Sequence, residues 1–221
     1  MPRMSRQLAG GLIYHVINRG NDKQVVFRKR SDYEAFLDVV AMAKERCPLK
    51  LFAYCLMPNH FHFVVSPGGD ISLSLWMQWL MTLHVRRYHR DYKSSGHVWQ
   101  GRFKAFPVQS NEHCLTVLRY VERNPLRANM VERIPDWEWS SLKPTARSGP
   151  EGILCDGPIL KPAQWTRHVN GVETEAELKA LRHSLARGTP FGETHWQTKT
   201  AAILGLESSF RPRSRPKQQE K

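Results

Sequence analysis

Between Leu12 and Asn18 apolar and polar positions alternate, which reads as a strand, and the turn residues Arg19-Gly20-Asn21-Asp22-Lys23 close it. Ser31-x-x-Glu34 has the form of a capping box, and it opens a helix whose apolar face runs Tyr33, Phe36, Leu37 and Val40 until Pro48 ends it. Leu49 to Leu56 and Asn59 to Val65 are rich in β-branched and aromatic residues. Only Pro58-Asn59 stands near their junction, too short a link for a parallel crossover, so the two predict a hairpin. Ser72 to His89 carries Leu73, Trp76, Met77, Leu80 and Leu83 at helical spacing. Val98 to Val108 reads as a further strand, and Asn111 caps a last helix that Pro125 should end or loosen near Asn124. This order predicts an α+β layer, a ferredoxin-like (RRM-like) antiparallel sheet with helices packed on one face.

From residue 131 the character of the chain changes. Gly and Pro punctuate Ser148 to Pro162, Thr174 to Arg187 is patterned as a helix with Ala176, Leu178, Leu181 and Leu185 inside, and Thr198 to Leu206 predicts another. The division expected is a domain over 1–130, a small, mainly helical C-terminal appendage over 131–210 and a basic disordered tail over 211–221. Among 221 residues, 41% are hydrophobic, enough for a proper core. The net charge of +13 is uneven: 19 Lys/Arg against 9 Asp/Glu up to residue 130, 9 against 10 over 131–210, and 5 against 1 in the tail. A polyanion suits the two basic parts, because Lys and Arg that neutralise phosphates release condensed counterions. Cys47, Cys55, Cys114 and Cys155 show no C-x-x-C spacing and read as buried thiols of a reducing compartment. No apolar run approaches the roughly 18 to 20 residues of a membrane span, nor does the region from Leu8 to Ile17 have a signal peptide's core. The expected location is cytoplasmic.

Chemistry concentrates at two places. His60 and His62 lie two apart in a strand, so both imidazoles leave the same face, about 6 to 7 Å apart at Cα, and can converge on one cation. Tyr120 and Asn124, four apart, share a helix face. Two imidazoles and an amide oxygen suit manganese, zinc or cobalt at least as well as magnesium.

His60-Phe61-His62 resembles the His-hydrophobe-His motif of the HUH endonucleases, and Tyr120-x-x-x-Asn124-Pro125 resembles the nucleophile helix of their single-tyrosine branch. Tyr14-His15-Val16-Ile17-Asn18-Arg19-Gly20-Asn21, Met57-Pro58-Asn59-His60, Val98-Trp99-Gln100-Gly101-Arg102-Phe103-Lys104 and Arg123-Asn124-Pro125-Leu126-Arg127-Ala128 extend the likeness to the REP-associated tyrosine transposases. The resemblance covers residues 10 to 131 in order.

It implies a metal-dependent cut of single-stranded DNA beside a REP hairpin, with Tyr120 as nucleophile, His60, His62 and Asn124 on Mg²⁺ or Mn²⁺, and a covalent 5′-phosphotyrosine that a 3′-hydroxyl can resolve. The protein would be nucleoid-associated, and a monomer or homodimer. Candidate DNA contacts are Arg19 in the first turn, Trp99 as a stacking ring, and Arg102 and Lys104 alternating on the expected strand. Arg123 and Arg127 flank the tyrosine, and Arg211, Arg213 and Arg215 lie in the tail, which resembles an AT-hook with Ser214 at its central glycine. Two other readings fit the residues: a non-catalytic nucleic-acid-binding module on a ferredoxin-like sheet, and a metal hydrolase in which water attacks.

Overall fold

The computed structural model describes residues 8–68, 73–143 and 152–211. Its centre is a four-stranded sheet in the order β2-β3-β1-β4, formed by β1 (Ile13–Arg19), β2 (Leu49–Met57), β3 (His60–Pro67) and β4 (Lys104–Val108), every neighbouring pair antiparallel. The turn at Pro58-Asn59 joins β2 to β3 as the expected hairpin, with Met57 opposite His60.

Two helices cross one face, α1 (Arg30–Arg46) after β1 and α2 (Leu73–Tyr92) after β3. Tyr14 and Val16 of β1 and Phe61, Phe63 and Val65 of β3 point into this layer, where they bury against Phe36 and Val40 of α1 and Trp76, Met77 and Leu80 of α2. To this extent the antiparallel α+β sheet with helices on one face is what the pattern predicts. However, β3 is buried along nearly its whole length, because the opposite face is covered too. There α3 (Glu112–Glu122) lays Cys114, Val117, Leu118 and Val121 against Val64 of β3 and Phe106 and Val108 of β4. Placing all helices on one face therefore describes α1 and α2 only. The run Phe61 to Val65, apolar but for His62, suits a strand buried on both sides.

Two further details differ from expectation. The start of α1 is set by Asp32, whose carboxylate accepts the backbone N–H groups of Arg28 at 2.8 Å and Lys29 at 3.0 Å, while Glu34 turns outward to Arg30. Asp32 sits in the first turn, where a carboxylate also meets the positive end of the helix. The strand expected over Val98 to Val108 is a ladder only from Lys104. Gly101 interrupts it at φ +110°, a conformation few side chains tolerate, and the Asn18 amide holds the Gly101 carbonyl at 3.1 Å.

The region after residue 131 packs into the same molecule. Trp165 and Val169 of α5 (Trp165–Asn170), Leu181 of α6 (Glu175–Arg187) and Phe191, ahead of α7 (Thr194–Leu204), join the second core beside α3. Thr174 and Glu177 form a capping box at the start of α6, and Gly188 ends it in the left-handed conformation. The packing thus runs across residue 131 without a break in the core.

Candidate active site

Each functional side chain is delivered by a different local rule. Alternation along β3 sends His60 and His62 to the face opposite Phe61 and Phe63, towards α3. Their ring centroids are 5.0 Å apart with planes at 78°. Asn111 caps α3 by accepting the backbone N–H of His113, so the helix begins where the pattern predicts. At its other end Pro125 has no N–H to offer the Val121 carbonyl, the hydrogen-bond ladder stops, and a new turn, α4 (Asn124–Arg127), starts. That break lets Asn124 face the sheet from the end of the tyrosine helix.

There the Asn124 amide lies 2.7 Å from Nε2 of His62, with its Nδ2 as the donor in this orientation. The Tyr120 ring stands edge-on to His62, centroids 6.0 Å apart at 83°, and is itself buried. The four residues His60, His62, Tyr120 and Asn124 are thus brought together in one chain.

Two residues not singled out from the sequence hold the imidazoles from behind. His60 Nδ1 donates to Asn59 Oδ1 at 2.6 Å, which leaves its Nε2 as the lone pair. His62 Nδ1 lies 2.8 Å from Nε2 of His15, a fully buried side chain of β1. His15 could not be read from spacing, because Ile17 is the register partner of His62 and His15 reaches it from the diagonal position. Burial is the main cause that pushes all three imidazoles down, His15 to about 3, His60 to about 4 and His62 well below the ordinary value. The Arg19 charge lowers His60 and His62 further, and a hydrogen bond with Asn124 raises His60 in part. At neutral pH these are uncharged imidazoles, the form that binds metals.

Among the described residues no group of three or more His, Cys, Asp or Glu is placed to hold a metal ion. A cation here would rest on the two imidazoles and the Asn124 amide, whose opposite edge is an oxygen. That donor set suits a divalent ion and leaves further positions for a substrate.

The expected DNA contacts divide. Arg19 is half-buried, sits beside His60 in the sheet and acts electrostatically on both imidazoles. Lys104 and Arg102 are exposed, but Arg102 precedes the ladder and does not alternate with Lys104 on one strand. Trp99 does not form a stacking platform: it is buried in the first core against Phe27, Phe61 and His84, because the loop at 98–103 folds its ring inward. Arg123 and Arg127 are engaged within the chain. Arg123 donates to the carbonyls of Val169 and Asn170, and Arg127 donates to both oxygens of the Glu173 carboxylate, with Arg123 also 3.4 Å from it. The Arg127 guanidinium lies 4.0 Å over the Tyr120 ring. Charge alone could not show that a near-neutral region supplies these acceptors. Arg211 is exposed at the end of the described chain, and Arg213 and Arg215 lie outside the described residues.

The family described as "Transposase IS200 like" matches residues 9–124. A protein of Haemophilus influenzae bearing the name REP-associated tyrosine transposase is 27% identical over 109 residues, 44% of this chain, and the chain spans only 61% of that relative's length. The REP-associated tyrosine transposase of Escherichia coli is 19% identical over 137 residues, 61% of this chain and 78% of the relative. A solved structure of a REP-associated tyrosine transposase bound to a REP hairpin matches with a TM-score of 0.56 at 18% identity, over 74% of this chain and 96% of that one. At that identity the likeness establishes the shared fold.

Proposed function

Because the chain belongs to the IS200-like transposase family, we propose that it is a metal-dependent single-stranded DNA endonuclease and strand transferase that acts on REP-type hairpin DNA through a covalent 5′-phosphotyrosine. The observation that carries this reading is the convergence of Tyr120, His62 and Asn124 from α3, β3 and α4, with His60 beside them.

The Tyr120 phenol oxygen attacks the scissile phosphorus, a Tyr–O–P bond forms, the bond to the 3′-oxygen breaks, and that oxygen leaves as a hydroxyl after taking a proton. The reverse attack by a 3′-hydroxyl rejoins strands and frees the tyrosine, so the bond energy is kept and no ATP is needed. His60, His62 and the Asn124 oxygen would hold Mg²⁺ or Mn²⁺, whose chemistry there is to draw charge from the non-bridging phosphate oxygens. Arg19 is the cation poised beside the histidines for the same phosphate, and Arg102 and Lys104 extend the contact along the backbone. Burial of Tyr120 and the imidazoles keeps water away from the reacting atoms. One chain supplies all four site residues, which supports a site that needs no second subunit. A DNA substrate would place the protein in the cytoplasm at the nucleoid; no helix among the described residues is long and apolar enough to cross a membrane.

The test is incubation of the purified protein with labelled single strands carrying REP-type hairpins and Mn²⁺ or Mg²⁺, followed by denaturing gels. We expect a protein-DNA adduct that is lost with chelator and in Tyr120→Phe, while that variant binds DNA within a few-fold of wild type. Cleavage without adduct would make water the nucleophile, and tight binding without cleavage would make the chain a binding module.

A further inference from the structure

We propose that His15 is a positioning residue of the metal site, accepting a hydrogen bond from His62 so that His62 presents Nε2 as a lone pair; this rests on the metal-dependent function proposed for the chain. Two neutral imidazoles joined nitrogen to nitrogen share one proton, so one ring donates and the other accepts. The rings of His15 and His62 lie within 15° of one plane with centroids 5.0 Å apart, the arrangement of an in-plane bond between His15 Nε2 and His62 Nδ1 at 2.8 Å. On the far side of His62, Nε2 lies 2.7 Å from the Asn124 amide; a cation shared by that Nε2 and the Asn124 oxygen needs a lone pair on Nε2 and therefore the proton on Nδ1. His15 must then accept at Nε2 and carry its own proton on Nδ1.

That Nδ1 is buried and has no hydrogen-bond partner among the described residues. The rings of Phe106 and Tyr120 pack against His15, with centroids 5.0 and 6.1 Å away. An unpaired buried N–H is unfavourable and would be avoided by an apolar side chain of similar size. Its presence is accounted for if the Nε2 acceptor of His15 is what the site requires, the role that carbonyls and carboxylates fill behind other metal-binding histidines. His60 has the parallel arrangement, with Asn59 Oδ1 taking its Nδ1 proton.

The experiment is Mn²⁺ binding to the full chain without DNA, read by the loss of the free-ion electron paramagnetic resonance signal, for wild type, His15→Leu and His15→Gln. Thermal melts of each protein accompany it. Leucine removes the acceptor and is expected to weaken Mn²⁺ binding about 10- to 100-fold. Glutamine restores an acceptor oxygen and is expected to stay within a few-fold of wild type. Equal affinity in His15→Leu, or an equally large loss in both variants, overturns the proposal. Should the leucine variant melt before assay temperature, His15→Phe asks the same question with the ring volume kept. Absence of Mn²⁺ uptake by the wild type would instead overturn the metal-dependent reading, and it is seen before any variant is compared.

Discussion

At the scale of single residues, the site's electrical state follows from burial. His15, His60 and His84 are held at about 3, 4 and 3, each chiefly by loss of hydration, so the folded chain resists protonation that the unfolded chain accepts near pH 6.5. The unfolded state therefore binds more protons as pH falls below about 6.5, and stability present above that value is lost down towards pH 4. We expect each of these imidazoles to cost on the order of 2 kcal/mol at pH 5 relative to pH 7. Urea denaturation at the two values measures it, and equal midpoints would contradict the assignment. The candidate site residues were legible through their combination and the ordered series of motifs around them, since a His-x-His pair or a tyrosine four before an asparagine is by itself a common, undiagnostic spacing. His15 was not, since its role depends on the register of β1 against β3.

At the scale of elements, the tyrosine helix is held in place by chain segments beyond its C-terminus. Arg119, Arg123 and Arg127, spaced by four, line the side of α3 and α4 that meets the 169–173 segment. Glu173, itself almost fully buried, neutralises Arg123 and Arg127 together. Replacing it by alanine leaves two partly buried cations without an anion, and we expect a loss of about 3 kcal/mol by denaturant titration. A change below about 0.5 kcal/mol would show that solvent already screens the cluster. Glu122 anchors the inner side of the same helix, accepting from Ser141 and Lys161 at 2.9 Å each and from the Trp165 indole at 2.6 Å. Helix periods and the Asn111 cap were readable from sequence; the partners of these charged side chains were not, because they come from residues 19 to 53 positions away.

For the whole molecule, the region beyond residue 131 closes both edges of the sheet. The backbone of β2 bonds to Trp139, Ser141 and Cys155, and β4 meets Phe191. A chain cut after residue 130 would expose those edges together with the side of α3 that lies beside Trp165 and Val169. We therefore expect residues 1–130 alone to lack a cooperative thermal transition by circular dichroism; a sharp melt would establish an independent domain. Charge contacts with DNA belong to this scale too. The slope of log K against log salt should fall by about one in Lys104→Ala and in Arg102→Ala, and stay unchanged in Arg123→Ala, whose guanidinium is already satisfied within the chain.

Residue types and periods in the chain determined the antiparallel α+β layer, the hairpin that carries His60 and His62, and the helix break that Pro125 imposes beside Asn124. Those depend on neighbours within a few residues and on which face each side chain leaves. The second helical face, the burial of Trp99, the inward use of Arg123 and Arg127 and the bond from His15 to His62 were decided only by the tertiary structure. Each depends on contacts between segments distant in sequence, and local spacing carries no record of which distant group will be the partner.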